Sequence, residues 1–190
     1  IEHRSVLDLV RAGRSRGWTA TIVPPGADGL VEPAAVREAI RADTVLVSVM
    51  AANNEIGTIQ PVEELGRACR EAGVLFLCDA TAAAGRIPID VGRIGADFLS
   101  LSAHKFHGPK GAGALFARPG GAPALARPGT PNVSGIAGLA AALAISVAEM
   151  AAERPRLRAL RDRLIGRLSA RLPAIVVNGG DEEEIEVRLD

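Results

Sequence analysis

Three short apolar runs, each followed at once by polar residues, constrain the fold of this chain more than any other feature. The runs span residues 44–50, 74–78 and 97–101. Continuously apolar runs of this length, rich in β-branched and aromatic residues, are typical of strands buried on both faces of a parallel sheet. Between the first two runs, Pro61 stands where a helix would begin and Gly73 where it would end. The pattern predicts a strand–helix–strand unit and an α/β fold with a mainly parallel sheet.

The polar residues after these runs predict a functional site. In open α/β sheets, ligands bind at the carboxyl ends of the strands, so we expect one crevice to collect the following side chains: Asn54, Asp79, Ser102, His104 and Lys105. An isolated lysine at a strand end is usually a surface residue. A desolvated amine with a lowered pKa, however, is a carbonyl nucleophile that can form a Schiff base with an aldehyde. The polar neighbours of Lys105 favour this second interpretation.

Charge and aromatic content argue against two classes of partner. The 190 residues carry 22 basic and 22 acidic side chains, so no net field attracts nucleic acid or an anionic membrane. Tyrosine is missing from the sequence and the other aromatic residues are few, which disfavours a stacking platform for single-stranded nucleic acid. The apolar stretch 136–147 is shorter than a membrane span and predicts a core helix. We therefore expect neither nucleic acid nor a membrane as a direct partner.

The two cysteines point to a reducing environment. Cys69 falls on a predicted helix and Cys78 inside a predicted strand, without the spacing of a zinc site. We interpret both as buried structural thiols in a cytoplasmic protein.

Weaker signals along the chain have simpler explanations. The glycine-rich segment 108–113 fits neither common phosphate-binding pattern and indicates a tight turn. His104 and His107 lack a nearby carboxylate or cysteine, so a metal site is not predicted. The acidic run 181–184 indicates a solvated loop. His3, considered by itself, indicates a surface or helix-capping histidine.

The remaining pattern predicts the order of elements. Helices are expected up to about residue 15 and at 33–41, 134–152 and 155–172, and a connecting loop with a short turn at 87–91. Further strands are expected at 18–23 and, antiparallel, at 113–117. We divide the chain into a large domain, residues 1–149, and part of a smaller C-terminal α/β domain, residues 150–190.

Six short strings in chain order identify a resemblance. They are His3, 53–57 (Asn-Asn-Glu-Ile-Gly), 79–81 (Asp-Ala-Thr), 102–105 (Ser-Ala-His-Lys), 108–111 (Gly-Pro-Lys-Gly) and 127–133 (Arg-Pro-Gly-Thr-Pro-Asn-Val). Together they resemble the cysteine desulfurases of the NifS/IscS-like branch, within the pyridoxal-phosphate-dependent class V aminotransferase family. The resemblance runs from residue 1 to about residue 178 and implies the fold type I of these transferases.

The resemblance implies a role for each matching residue. Lys105 would be the Schiff-base lysine, and Asp79 would pair with the pyridinium nitrogen and keep the ring an electron sink. His3 would stack on the ring and assist proton transfer. The other roles are phosphate binding by Thr81, Ser102 and His104, cofactor or substrate contact by Asn54, and contact with the phosphate of a neighbouring subunit by Thr130. The family reaction converts L-cysteine to L-alanine and passes sulfur on as an enzyme persulfide. It implies a homodimer and a sulfur-acceptor protein serving iron–sulfur clusters, tRNA thiolation or a thio-cofactor.

Three departures from the family pattern keep other functions open. Neither Cys69 nor Cys78 occupies the position of the family's nucleophilic cysteine, which lies on a loop of the C-terminal domain. Ala82 stands where the family usually has a glutamine that donates to the ring oxygen, and the segment 117–127 is shortened. We expect the chain to be part of a longer enzyme. The alternatives are a sibling lyase acting on selenocysteine or another amino acid, and a non-catalytic scaffold that binds a sulfur-transfer partner.

Overall fold

A four-stranded mixed sheet lies at the centre of the computed structural model, which describes residues 1–120, 129–172 and 174–179. Its strands are β1 (Leu46–Met50), β2 (Leu75–Asp79), β3 (Phe98–Ser102) and β4 (Gly113–Ala117), in the spatial order β1-β2-β3-β4. The first three strands are parallel, and β4 runs antiparallel to β3. The predicted parallel unit and the predicted antiparallel fourth strand are both confirmed.

In the described part of the chain, five α-helices and one 3-10 helix surround or connect the strands. They are α1 (Arg4–Arg14), α2 (Pro33–Ala39), α3 (Val62–Glu71), α4 (Val91–Ile94), the 3-10 helix Ala103–Phe106 and α5 (Val133–Arg171). The predicted loop at 87–91 leads into α4, because the Asp90 carboxylate accepts the backbone N–H groups of Gly92 and Arg93 at 2.8 and 3.0 Å and so caps a short helix.

The main core lies between α3 and the sheet. Leu65 and Cys69 of α3, four residues apart on one helix face, are fully buried together with Phe76 and Cys78 of β2. A Cβ atom at Gly66 would overlap the carbonyl oxygen of Ile94, so glycine at this position permits α3 and α4 to approach closely. This packing fixes the strand ends on which the site is built.

The prediction of a strand at residues 18–23 is wrong. These residues have no regular structure, and Trp18 and Ile22 are 52% and 63% exposed. Apolar and β-branched residues favour a strand only where a neighbouring strand completes the ladder. In the described part of the chain, no strand pairs with this segment.

The two predicted C-terminal helices are one helix. Helix α5 continues through Pro155 for 39 residues, so the predicted break is wrong. Proline removes one backbone hydrogen bond, and the long run of alanine, leucine and arginine on both sides maintains the helix around it. The expected domain boundary after residue 149 falls inside α5, and the division into two domains stays a prediction.

The expectation that residues 136–147 form a core helix is correct for one face only. Leu139 packs with Ala84, Ala103 and Phe106 in a second, smaller apolar cluster. Ala142 and Leu143 are partly buried against the same cluster, whereas Ile136, Ile145 and Val147 on the other side of the helix are more than half exposed. By length and composition α5 is also apolar enough to cross a membrane, a test that core helices of soluble proteins pass as well.

Candidate active site

The carboxyl ends of the three parallel strands lie side by side. Met50 at the end of β1 is in register with Asp79 at the end of β2, and Asp79 is in register with Ser100 of β3. β3 continues to Ser102, and the 3-10 helix begins at the next residue. The parallel strands therefore place Asp79 and Ser102 on the same edge of the sheet, where a ligand-binding crevice is expected.

Asp79 is held in one orientation at this edge. The residue is 8% exposed, and its Oδ1 accepts the Ser100 hydroxyl at 2.8 Å and the Thr81 backbone N–H at 3.0 Å. Among the described residues both hydrogen bonds go to Oδ1, which leaves Oδ2 for a ligand. A buried carboxylate fixed in this way is suited to bind a cationic N–H group.

Lys105 lies in the short 3-10 helix directly after β3. Ala103 and Phe106 are buried, while Lys105 is half-buried and His104 is exposed. The Ser102 hydroxyl lies 2.9 Å from Nδ1 of His104, and the Lys105 carbonyl oxygen accepts Nη2 of Arg86 at 3.3 Å. The burial of Ala103 and Phe106 anchors the helix, while the Lys105 side chain is only partly shielded from solvent.

The residue after this helix has an unusual backbone. His107 has a φ of 65°, and it is the non-glycine residue with positive φ in the described part of the chain. Its N–H bonds to the Ala103 carbonyl and ends the helix. A left-handed conformation costs a histidine of the order of 1 kcal/mol, and the backbone N–H groups of His107 and Gly108, which both donate to the Ala103 carbonyl, hold the turn that follows Lys105.

The other predicted site residues occupy different settings. His3 is exposed and caps α1: its Nδ1 accepts the Ser5 backbone N–H at 3.2 Å, so the simple capping interpretation describes its contacts. Asn54 is half-buried in the turn that follows β1, and Thr130 is exposed shortly before α5. Arg127 and Pro128 of the sixth string, and the acidic run 181–184, lie outside the described residues.

Sequence reasoning missed three polar residues at this edge. Ser100 was a detectable signal, since it alternates with Ser102 along an otherwise apolar strand and faces Asp79 in the neighbouring strand. Glu2 and Asn53 form contacts with residues about fifty positions away in the sequence. Periodicity carries no information about such contacts.

Both cysteines are buried in the core between α3 and the sheet. Burial raises the pKa of Cys69 to about 11, with a smaller contribution from Asp97. Burial raises the pKa of Cys78 to about 12, with smaller contributions from Asp79 and Glu2. Since the thiolate is the nucleophile, neither side chain is suited to attack a substrate at neutral pH, and the prediction of two buried thiols is confirmed.

The family described as "Aminotransferase class-V" matches residues 1–126, which is about two thirds of the chain. The chain belongs to the class V aminotransferase family. This membership and the mixed sheet flanked by helices confirm the predicted family and the α/β fold of type I.

Named relatives of this class V aminotransferase domain are cysteine desulfurases. It is 43% identical to the cysteine desulfurase IscS of Anaeromyxobacter dehalogenans (strain 2CP-C) over 201 residues, which cover 100% of the chain and 50% of that relative. The chain thus spans about half the length of the curated relatives that it matches.

Two solved structures share the fold. A NifS-like protein has a TM-score of 0.90 at 36% identity, over 98% of this chain and 53% of that structure. A structure described as SspA in complex with cysteine has a TM-score of 0.72 at 37% identity, over 75% of this chain and 45% of that structure. This class V aminotransferase domain therefore resembles proteins whose names point to sulfur chemistry.

Proposed function

We propose that this chain binds pyridoxal phosphate and carries the catalytic core of a cysteine desulfurase, which converts L-cysteine to L-alanine and passes the sulfur to a thiol. The observation that carries the proposal is the oriented, buried Asp79 at one strand end, with the half-buried Lys105 just beyond the end of the neighbouring strand. Likeness to cysteine desulfurases and to a structure in complex with cysteine supports the choice of substrate.

The polar side chains at the carboxyl edge of the sheet match the functional groups of pyridoxal phosphate. Asp79 offers an oriented carboxylate oxygen for a protonated ring nitrogen, and Lys105 offers an amine for the aldehyde. A phosphate would be held by the hydroxyl and ring donors that follow the strands: Thr81, Ser102 and His104. When bound, the cofactor withdraws electrons from the substrate carbon that carries the amino group.

The remaining site residues act on the substrate and on protons. Asn54, half-buried after β1, would bind the substrate carboxylate or the cofactor with its amide. The Lys105 amine and the His3 ring would move protons at the substrate carbon, and His3 would also cover one face of the cofactor ring. Ala82 offers no amide to the ring oxygen, so water would take that place.

The thiol that receives sulfur is not one of the two cysteines of this sequence. Both are fully buried, with pKa values raised to about 11 and about 12. In the proposed step an attacking thiolate RS⁻ forms an S–S bond while the C–S bond of L-cysteine breaks. The carbon then takes a proton, so that L-cysteine and RSH give L-alanine and RSSH.

The proposal also includes a homodimer, a sulfur-acceptor protein and a cytoplasmic location. Thr130 is exposed before α5, where it could reach the phosphate site of a second subunit in a homodimer. The acceptor would be a scaffold or sulfur-carrier protein in iron–sulfur assembly or in thiolation of a cofactor or tRNA. Two unpaired, buried thiols suit the reducing cytoplasm.

Borohydride reduction tests cofactor binding. Lys105 and Lys110 are the two lysines of the sequence, so Lys110 is a natural control. The full chain, incubated with pyridoxal phosphate and reduced, should gain one pyridoxyl-phosphate adduct by intact mass, mapped to Lys105 in peptides. Lys110→Ala should retain the adduct and Lys105→Ala should lose it. A wild-type chain without an adduct, or an adduct that persists in Lys105→Ala, contradicts the assignment and favours a scaffold.

Turnover tests the reaction. The loaded chain is supplied with L-cysteine and excess dithiothreitol as the external thiol, and alanine and sulfide are measured. Equal amounts of both products support the desulfurase. A loaded chain that releases alanine only from selenocysteine would identify the sibling lyase instead, and a loaded chain inactive on both substrates would refute the proposed activity while retaining cofactor binding.

A further inference from the structure

Two hydrogen bonds join the segment before α1 to the end of β1. Oε1 of Glu2 accepts the backbone N–H of Met50 at 2.8 Å, and Nδ2 of Asn53 donates to the Ile1 carbonyl oxygen at 2.9 Å. In both bonds the β1 side donates and the N-terminal segment accepts, and each segment supplies one side chain to the backbone of the other. We call this pair of contacts the clasp.

The clasp is fixed at its β1 end. Oδ1 of Asn53 accepts the N–H groups of Glu55 and Ile56 at 2.8 and 3.0 Å, so the Asn53 side chain is held within its own turn. Met50 is in register with Asp79 on β2. The clasp therefore ties the N-terminal segment to the strand pair that carries the site carboxylate.

Burial of the Glu2 carboxyl is unfavourable for the free energy of folding. Oε2 of Glu2 and Oγ of Ser48 are both buried without a hydrogen-bond partner among the described residues. Burial, and to a lesser extent repulsion by Asp79, raise the pKa of Glu2, while the hydrogen bond from the Met50 N–H partly offsets this. A buried polar atom left unpaired disfavours folding. That the Glu2 carboxyl is buried in spite of this unfavourable free energy suggests a role beyond joining the N-terminal segment to β1.

The residue that the clasp holds in place is His3. Glu2 is adjacent to it, and His3 begins α1 as the capping residue, so the position of its ring follows from where the segment 1–2 is attached. We propose that Glu2 and Asn53 are positioning residues that hold His3 at the carboxyl edge of the sheet, beside the proposed cofactor site. This inference rests on the proposed function of that site.

A double-mutant cycle separates positioning of His3 from a general structural role. The full chain loaded with pyridoxal phosphate is compared with Glu2→Ala, Asn53→Ala and His3→Ala, and with each clasp variant combined with His3→Ala. The readouts are the visible circular-dichroism band of the bound cofactor and its dissociation constant. Glu38→Ala, an exposed substitution on α2, serves as the surface control.

The expected result is strong non-additivity. Each clasp variant should weaken the band as His3→Ala does and raise the cofactor Kd roughly three- to tenfold, as expected for one lost buried hydrogen bond. In the His3→Ala background the same substitutions should have little further effect. Glu2→Gln retains the acceptor oxygen and should retain the band.

Three results would overturn the inference. They are an unchanged band in the clasp variants, an undiminished effect in the His3→Ala background, and a band insensitive to His3→Ala. Far-ultraviolet circular dichroism checks folding, and if Glu2→Ala does not fold, the cycle is carried by Asn53→Ala with and without His3→Ala, with Glu2→Gln as the conservative control. Failure of the wild-type chain to bind the cofactor would instead count against the proposed function, so the two failures are distinguishable.

Discussion

The Ser100 hydroxyl should control cofactor affinity although it has no predicted contact with the cofactor. It donates to Oδ1 of Asp79 at 2.8 Å, next to the Thr81 N–H at 3.0 Å on the same oxygen. Ser100→Ala removes one of the two donors that orient the carboxylate. We therefore expect the variant to bind pyridoxal phosphate more weakly while folding normally.

The expected magnitude follows from the charge of the acceptor. A hydrogen bond to a charged group contributes about 1.5–3 kcal/mol. Because Thr81 still holds Oδ1 in the variant, the lower end applies, and about 1.5 kcal/mol corresponds to roughly a tenfold increase in the cofactor Kd. Unfolding of the cofactor-free chain in urea should show a loss of about 1 kcal/mol or less, since the site is at the edge of the core.

Titration of the cofactor-free chain with pyridoxal phosphate, followed by visible absorbance, measures this effect. Ser146→Ala is the matched control, because Ser146 is also half-buried and its hydroxyl donates to one backbone carbonyl, that of Phe106, at 3.3 Å. The control should bind the cofactor as the wild type does. A Ser100→Ala chain that binds within twofold of wild type would refute the argument that Ser100 orients Asp79.

Three further predictions concern the fold and its ionisable groups. Gly66→Ala should destabilise the chain by about 2 kcal/mol, because the added methyl group overlaps the Ile94 carbonyl oxygen; a urea midpoint equal to that of wild type would contradict this. Cys69 and Cys78 should not react with a thiol reagent at about pH 8 until urea unfolds the chain, because burial raises their pKa values to about 11 and about 12. Rapid labelling of the native chain would contradict this and show that the core is open to the reagent. Because folding raises the pKa of Glu2 above 4.5, its favourable contribution is present below that pH and is lost as the pH rises through the folded pKa. Glu2→Gln should therefore gain stability relative to wild type as the pH rises above 4.5, and a pH-independent difference in urea unfolding would exclude this linkage.

The central strands could be predicted because each is a continuous apolar run whose burial leaves few other conformations. The run 74–78 became β2 with a shift of one residue, and Asp79 proved to be its last residue. The run 18–23 is also rich in β-branched and aromatic residues, yet it forms no strand, because a strand also needs a paired neighbour, which local sequence does not encode.

The sequence points to residues of the proposed site only where they follow strand ends. Asp79 and Lys105 stand out because a charged residue interrupts an apolar run at a position where parallel sheets bind ligands. Glu2 and Asn53 act through contacts that span 48 and 52 positions of sequence. Only the three-dimensional arrangement brings such pairs together, so the role proposed for Glu2 and Asn53 depends on the structure.

The spatial order of the strands also governs how this site can be assembled during folding. Each strand pairs with its successor in the chain, since Leu46 aligns with Leu75 and Leu77 with Phe98. The chain segments that must close to bring paired strands together are therefore short. Short closures are fast and cost little loop entropy, and the sheet can grow strand by strand in the order of synthesis. Asp79 meets Ser100 only when β3 has docked, and Lys105 follows three residues after β3 ends. Competence to bind a cofactor would therefore arise late, with the third strand, after the hydrophobic nucleus of β1, β2 and α3 has formed.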